Sequence, residues 1–151
     1  MKKISTSLVA SFILATNLLS TDTLETITVT SATKTEQSIK DVTSNIDVIT
    51  AEEIEEKHYT TVVDALNTIP GISFTSNGGM GQPTSVYLRG MDSNKTLVLI
   101  DGIRYNDPTG LSGANFAHLM VTDIERIEVI KGAQSSIWGA DASAGVINII
   151  T

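Results

Sequence analysis

The sequence predicts an α+β fold: a small mixed sheet of about four strands with short helices, preceded by a mobile N-terminal arm. Short apolar runs bounded by turn residues recur in residues 44–151 and are typical of buried strands. Two helical patterns, each beginning at a threonine, lie between the first and the second of these runs. Residues 21–43 are instead rich in threonine, serine and charge, which favours an extended, poorly packed segment.

Residues 1–20 have the pattern of a secretory signal peptide. Met1–Lys3 is basic, and Leu8–Leu19 is an apolar stretch of about a dozen residues, which is too short to span a bilayer. A buried N-terminal helix is the alternative. We expect cleavage near Ser20.

The arm, residues 21–43, contains a segment in which polar and β-branched apolar residues alternate. This pattern predicts a strand, although no adjacent segment is an obvious hairpin partner. A strand of this kind near a terminus is suited to pairing with the sheet edge of another protein. A flexible linker with accidental alternation is the other interpretation. The segment consists of Glu25, Thr26, Ile27, Thr28, Val29, Thr30 and Ser31.

The ordered domain begins with a predicted strand at Asn45–Thr50. Thr50 and Glu53 have the spacing of a capping box, which predicts a helix start and contributes about 1 kcal/mol. A second helix is predicted at Thr61–Ile69, because its apolar residues share one face and Pro70-Gly71 ends the pattern.

Two strand-like segments, Ile72–Thr75 and Val86–Leu88, flank a glycine-rich loop at Asn77–Pro83. Three glycines could suggest a phosphate site, but the Gly-Lys-Ser/Thr ending and the following helix of a P-loop are absent. The loop remains a place where backbone can approach a ligand closely.

Thr96–Ile100 is apolar on both faces, so we expect it to be the central strand. Asp101-Gly102 then predicts a turn, and Ile103–Tyr105 a short returning strand. The following segment, Asn106–Asn115, is a second loop of turn residues. Loops of this length often carry binding, and they are also places where insertions are tolerated.

The last part of the ordered domain predicts a short helix at Phe116–Asp123 and a strand at Glu125–Ile130. A helical turn at Gln134–Trp138 and a closing strand at Val146–Thr151 follow.

Composition and motifs favour binding or gating over catalysis. The formal net charge of −7, with scattered Lys and Arg, makes nucleic acid an unsuitable partner. The chain has no cysteine, and His58 and His118 have no local metal-ligand partner. Ser135 and Ser136 lie outside a Gly-x-Ser-x-Gly motif. We therefore expect no metal, no cofactor and no enzymatic activity.

Several motifs follow one another in order along the chain: Asp64-Ala65-Leu66 to Pro70-Gly71-Ile72, Leu88-Arg89-Gly90, Leu97–Gly102, Ile124–Gly132 and Trp138–Thr151. Together they resemble the N-terminal part of TonB-dependent outer-membrane receptors, with a signal peptide, a TonB box and a plug domain. The resemblance covers nearly everything after residue 20. Within the family, the arm segment and the Asn77–Gln82 loop look most like a cobalamin receptor, and siderophore receptors come next.

The resemblance implies a role for each of three groups of residues. Glu25–Ser31 is expected to bind TonB as an added strand. Arg89, Arg126 and Lys131 are expected to contact the barrel. Lys131 stands where arginine is usual and lacks the bidentate fork of an arginine side chain. The outward loops are expected to bind cobalamin or a ferric siderophore through Asn77, Gly78, Gly79, Met80, Gly81, Gln82, Asn106, Asp107, Leu111, Ser112 and Asn115.

Family receptors place the plug inside a barrel of 22 strands. Each strand needs about ten residues, so this chain cannot contain that barrel. We expect a plug fragment, a truncated reading frame or a stand-alone plug. The alternative function is that of a soluble periplasmic ligand-binding or interaction module with the same fold; a periplasmic serine hydrolase is the weakest option.

Overall fold

The computed structural model describes residues 27–31, 33–35, 37–38 and 45–151. The predicted signal peptide, Glu25 and Thr26 lie outside these residues. The strands are β1 (Thr28–Val29), β2 (Gln37–Ser38), β3 (Ile46–Thr50), β4 (Ile72–Ser76), β5 (Thr84–Leu88), β6 (Thr96–Ile100), β7 (Ile103–Arg104), β8 (Arg126–Lys131) and β9 (Gly145–Ile150). The α-helices are α1 (Ala51–Glu56), α2 (Val62–Leu66) and α3 (Ser135–Trp138), and two 3-10 turns lie at Ser93–Lys95 and Ala140–Ala142.

The main sheet has five strands in the order β3-β8-β9-β6-β7. Only β6 and β9 pair in parallel, and the other neighbours are antiparallel. Strands β4 and β5 form a separate hairpin, and β1 pairs with β2 in another. The predicted α+β class with a small mixed sheet is therefore confirmed, with five strands where about four were expected, because the two-residue β7 adds an edge.

Both faces of the main sheet are covered. On one face, Ile127, Val129 and Ile147 pack with the helix residues Ile54 and Leu66 in the larger core cluster. On the other face, a smaller cluster joins residues of β6 and β9 to Ala142 and the partly buried Trp138. This burial on both sides explains why β6, β8 and β9 have nearly continuous apolar sequences.

The helices begin where the capping residues predict. The Thr50 hydroxyl accepts a hydrogen bond from the Glu53 amide at the start of α1. The Thr61 side chain caps α2, and the Asp64 carboxylate reaches back to the Thr61 amide at 2.9 Å, which completes a capping box. Helix α2 ends at Leu66, three residues before the predicted end.

Two predictions about strand positions are wrong. Strand β6 lies next to the edge strand β7, and β9 is the central strand. A run that is apolar on both faces indicates burial of both faces of the strand. A strand second from the edge can be buried in this way, so the pattern does not identify the central strand. The arm segment also has a partner, because Thr28 pairs with Ser38 and Val29 with Gln37.

The predicted helix at Phe116–Asp123 is absent. Its backbone forms hydrogen bonds with distant segments instead: the Phe116 amide donates to Thr84, and the Leu119 carbonyl accepts from Val62. Met120 forms an isolated bridge with Thr61. These tertiary bonds satisfy the backbone groups that a helix would have used, and they hold β5 and α2 together.

Gly145, the first residue of β9, allows two elements to pack closely. A Cβ atom there would lie 2.1 Å from the Ile130 carbonyl oxygen and 2.4 Å from Leu88 Cδ2. We expect Gly145→Ala to lower the free energy of unfolding by roughly 2–3 kcal/mol, as measured by urea denaturation. Gly79→Ala is the control, because its Cβ would meet nothing within 4 Å. An equal loss in both variants would contradict this explanation.

Candidate functional site

The described part of the arm lies against the main sheet. Ile27 and Thr28 are exposed, whereas Val29 and Ser31 are fully buried. Ile27 and Thr28 line a groove with Thr50 and Arg126, so β1 starts at the end of the sheet where β3 ends. The predicted strand segment therefore has an accessible first half and a buried second half.

A buried carboxylate holds the arm in place. The Glu128 side chain is fully buried in the middle of β8. It accepts hydrogen bonds from the Thr30 amide at 3.1 Å, the Ser31 amide at 2.9 Å and the Ser31 hydroxyl at 2.6 Å. Arg126 Nε donates a fourth bond at 3.0 Å. Three of these four bonds come from the arm, and bonds to a charged acceptor are the stronger kind.

Two further side chains contact the arm beside Glu128. Trp138 Nε1 donates to the Ser31 carbonyl oxygen at 2.7 Å, and Lys34 Nζ lies 4.7 Å from the centre of the Trp138 ring. Asn148 Nδ2 donates to the Thr30 hydroxyl at 3.2 Å. Sequence reasoning missed Glu128, Trp138 and Asn148 as arm contacts. The available signal was a carboxylate and an amide in the middle of otherwise buried strands.

The first predicted ligand loop, residues 77–83, joins β4 to β5. Gly78–Gly81 lines a groove of about 340 Å³ that Phe74 and Phe116 also line. Met80 at the loop tip is 83% exposed. The Gln82 amide donates to the Gly79 carbonyl at 3.1 Å, and Asn77 donates to Pro83, so the loop closes on itself. The arrangement presents an apolar side chain and backbone polar groups to a ligand.

The second predicted ligand loop, residues 106–115, has a fixed base and an exposed tip. The Asn106 side chain accepts from the Val98 amide at 2.7 Å and donates to the Thr96 carbonyl at 2.9 Å, so its amide extends the edge of β6. Asp107 accepts hydrogen bonds from Thr109 and Ser112. These bonds, the Thr109 hydroxyl first, lower the pKa of the Asp107 carboxyl to about 2.

The structure brings the two loops together at their C-terminal ends. Asn115 Oδ1 accepts from the Thr84 amide at 3.2 Å, and Ser112 and Pro83 line one small pocket. At the tip of the second loop, Leu111 is 86% exposed. The loops therefore present two apolar tips, Met80 and Leu111, on a connected support.

The three predicted barrel-contact residues differ in their surroundings. Lys131 Nζ pairs with Asp47 at 2.6 Å, and Arg126 contacts Glu125 and Glu128. Arg89 is exposed, and within the described residues it forms no ion pair. Arg126 and Lys131 therefore form ion pairs within this domain and Arg89 forms none among the described residues, while a barrel contact by any of the three stays a prediction.

Within residues 27–31, 33–35, 37–38 and 45–151, no group of three or more His, Asp or Glu side chains could hold a metal ion. The same residues contain no helix long and apolar enough to cross a membrane.

Comparison with known proteins gives a consistent family. A family model described as the TonB-dependent receptor plug domain matches residues 38–146. The vitamin B12 transporter BtuB of Vibrio vulnificus (strain CMCP6) is 44% identical over 120 residues, which are 80% of this chain and 20% of that protein. The chain thus spans about a fifth of the length of the curated relatives it matches.

Solved structures agree on the fold. The siderophore receptor PiuA from Acinetobacter baumannii is 31% identical with a TM-score of 0.60, covering 76% of this chain and 15% of that one. The ferripyoverdine receptor of the outer membrane of Pseudomonas aeruginosa, bound to ferripyoverdine, is 23% identical with a TM-score of 0.68. It covers 82% of this chain and 16% of that one. By their names, these relatives are transporters and receptors.

Replacing Glu128 with glutamine should loosen the arm. The amide keeps the shape but loses the charge, and its NH₂ group cannot accept the arm's donors. A hydrogen bond to a charged group contributes about 1.5–3 kcal/mol, so amide hydrogen exchange at Thr30 and Ser31 should accelerate roughly ten- to hundredfold. Glu125→Gln is the control, because its 63% exposed side chain also pairs with Arg126. Similar exchange rates in the two variants would refute the anchoring role of Glu128.

The second loop should keep its conformation in mild acid. Because the pKa of Asp107 is lowered from 3.8 to about 2, its stabilising bonds are complete above pH 3.8 and disappear as the pH falls through about 2. An NMR titration of the Thr109 amide should show this low midpoint. Asp107→Asn should remove the transition. A midpoint at the ordinary aspartate value would show that the bonds are not formed in solution.

Proposed function

The chain belongs to the TonB-dependent receptor plug domain family, and on that premise we propose that it is the gate of an active outer-membrane transporter for cobalamin or a ferric siderophore. The observation that carries the proposal is the arm: a strand segment held on the plug by Glu128, with Ile27 and Thr28 left accessible. Nothing in the comparisons favours the alternative of a soluble module.

On the ligand side, the two loops provide the receptor surface of the gate. Met80 and Leu111 supply apolar contacts, and Asn77, Gln82 and Ser112 supply amide and hydroxyl groups. A large ligand with both apolar edges and polar substituents suits this mixture. Cobalamin is the first candidate, since the relative at 44% identity is a vitamin B12 transporter and the siderophore receptor PiuA is 31% identical.

On the partner side, Glu25–Ser31 pairs with TonB as an added strand. Backbone hydrogen bonds dominate this mode of recognition, so it tolerates many side chains. Full pairing requires Val29–Ser31 to leave the docked position, because Val29 is buried and the Thr30 and Ser31 amides donate to Glu128. Energy reaches the gate through the partner from the proton gradient of the inner membrane, and the gate itself needs no nucleotide.

The barrel is the third partner, and it belongs to the same receptor. Arg89 is positioned to pair with a barrel carboxylate, because its charge is available and its side chain lies near Gly71 and Gly132 at one end of the sheet.

Residues 1–20 serve as the signal peptide for export, and the mature receptor lies in the outer membrane.

A proline in the accessible half of the segment should stop transport without stopping ligand binding. Proline removes a backbone donor and fixes φ, so Ile27→Pro cannot complete a strand with the partner. We expect uptake of labelled cobalamin, or of a ferric siderophore, to fall to background while equilibrium binding to the purified receptor is unchanged. Val29→Pro should give the same loss of uptake.

Ile27→Ala is the matched control, because it keeps the amide donor and should transport normally. Normal uptake by Ile27→Pro would contradict the assignment of the segment. Loss of both binding and uptake would instead indicate that the receptor is not assembled.

A further inference from the structure

Asn77 and Gly78 form an Asn-Gly pair at the start of the first loop, and residues 1–151 contain no other such pair. The pair lies between β4, which ends at Ser76, and β5, which begins at Thr84, so the peptide bond that joins it is outside the strand pairing. Both residues are exposed. Because glycine has no Cβ atom, its amide nitrogen is the backbone nitrogen that the preceding side chain reaches with least hindrance.

Hydrogen bonds hold the backbone on both sides of this peptide bond but not the peptide bond itself. The Asn77 amide donates to the Pro83 carbonyl oxygen at 3.2 Å, and the Ser76 hydroxyl donates to the Gly78 carbonyl oxygen at 2.9 Å. Among the described residues, neither the Asn77 side chain nor the Gly78 amide has a hydrogen-bond partner. The side-chain carbon of Asn77 and the nitrogen that follows it are thus held near each other by covalent structure and by nothing else.

Two other asparagines of the domain are held in ways that Asn77 is not. The Asn106 side chain accepts from the Val98 amide at 2.7 Å and donates to the Thr96 carbonyl at 2.9 Å, so it cannot turn toward its own backbone. Asn67 is exposed, but the amide of the next residue, Thr68, donates to the Ala65 carbonyl at 3.2 Å. The side chain is engaged at one position and the following backbone nitrogen at the other.

We propose that Asn77 is a site of spontaneous chemical modification, at which the Gly78 nitrogen displaces the side-chain amide group and water completes the conversion to aspartate and isoaspartate. The Gly78 nitrogen gives its proton to hydroxide and forms a bond to Asn77 Cγ. The bond from Cγ to Nδ2 then breaks, and Nδ2 takes a proton from water and leaves as ammonia. The product is a five-membered cyclic imide, and no oxidant, reductant or metal takes part.

Water then opens the imide at one of its two carbonyl carbons. Opening at the backbone carbonyl carbon leaves Gly78 attached through Cγ, which is isoaspartate, and opening at Cγ restores the original backbone as aspartate. The net reaction consumes one water molecule and releases one ammonia molecule. Either product replaces a neutral amide with a carboxylate, and isoaspartate also adds one carbon atom to the backbone of the loop.

The modified residue adjoins the groove of the first loop. Gly78 lines this groove, and so does Asp64, which already contributes a carboxylate. The reaction therefore increases the negative charge beside the groove as the protein ages. Only this consequence for a ligand surface rests on the proposed function, since the reaction itself needs neither ligand nor TonB.

The test incubates the purified full-length protein, without ligand, in heavy-oxygen water at a series of mildly alkaline pH values. Peptide mapping by mass spectrometry should show Asn77 converted to aspartate and isoaspartate with one heavy oxygen atom incorporated, and enzymatic carboxyl methylation identifies the isoaspartate. The rate should rise in proportion to the hydroxide concentration, because loss of the Gly78 proton starts the reaction. Aspartate without any isoaspartate would mean direct hydrolysis of the amide and would overturn the proposal.

Variants of the two neighbouring glycines separate the mechanism from general exposure of the loop. Gly78→Ala should slow the reaction about fivefold or more, because alanine restricts the backbone rotation that ring closure requires. Gly79→Ala keeps the Asn-Gly pair, has open space for its Cβ atom and should react at the original rate. Equal rates in the two variants would refute the role of the Gly78 nitrogen.

Unfolding in guanidinium chloride covers the case in which Gly78→Ala fails to fold, because its Cβ atom would lie 2.9 Å from Gln82 Cγ. In the unmutated protein, unfolding should change the rate at Asn77 little and should accelerate the reaction at Asn106, whose bonds to β6 are then lost. The proposal is overturned if Asn77 reacts only after unfolding, or if Asn106 reacts as fast as Asn77 in the folded protein. Such a result leaves the proposed transport function standing, and a failed uptake experiment leaves this chemistry standing.

Discussion

A charged side chain without access to water needs several donors, and Glu128 obtains most of its donors from the arm. Its carboxylate accepts from the Thr30 amide, the Ser31 amide and the Ser31 hydroxyl, and only the Arg126 bond comes from the sheet. The docked arm thus offsets the desolvation of Glu128, and Glu128 satisfies the arm's backbone. When the arm departs, water must enter to replace these bonds. The proposed function requires these two states, a docked arm and a released arm with a hydrated Glu128.

The docked arm also leaves one buried polar atom beside it unpaired, which lowers the stability of the docked state. Asn148 donates to Thr30 from beside Glu128, but among the described residues its own Oδ1 is buried and has no hydrogen-bond partner. An unpaired buried acceptor costs about 1–3 kcal/mol, a cost that release of the arm relieves. A gate responds to a modest difference in binding free energy between its two states. A docked arm with one unpaired polar atom beside it suits that role.

Local patterns predicted much of this fold, and long-range contacts account for what they missed. Thr50 was identified as a helix cap because its partner is three residues away. The helix predicted at Phe116–Asp123 failed because its backbone bonds go to β5 and α2, which no local window contains. The side-chain amide of Asn106 pairs with β6, a long-range contact that the loop sequence does not indicate, and its role in ligand binding stays a prediction. Glu128 bonds to Thr30 and Ser31, which precede it by 98 and 97 positions in the sequence. Local patterns therefore predicted the arm strand and β8 separately but not the contact between them.

The most direct test is to lock the arm in place. Asn148 Nδ2 and Thr30 Oγ1 are 3.2 Å apart and residues 1–151 contain no cysteine, so Thr30→Cys with Asn148→Cys places two thiols across the docking contact, and closure of the disulfide is verified by the loss of free thiol. Uptake of labelled cobalamin, or of a ferric siderophore, is then measured in the oxidised and reduced full-length receptor. If transport requires release of the arm, the disulfide should block uptake and leave ligand binding intact, and reductant should restore uptake. Normal uptake with the disulfide closed would contradict the account.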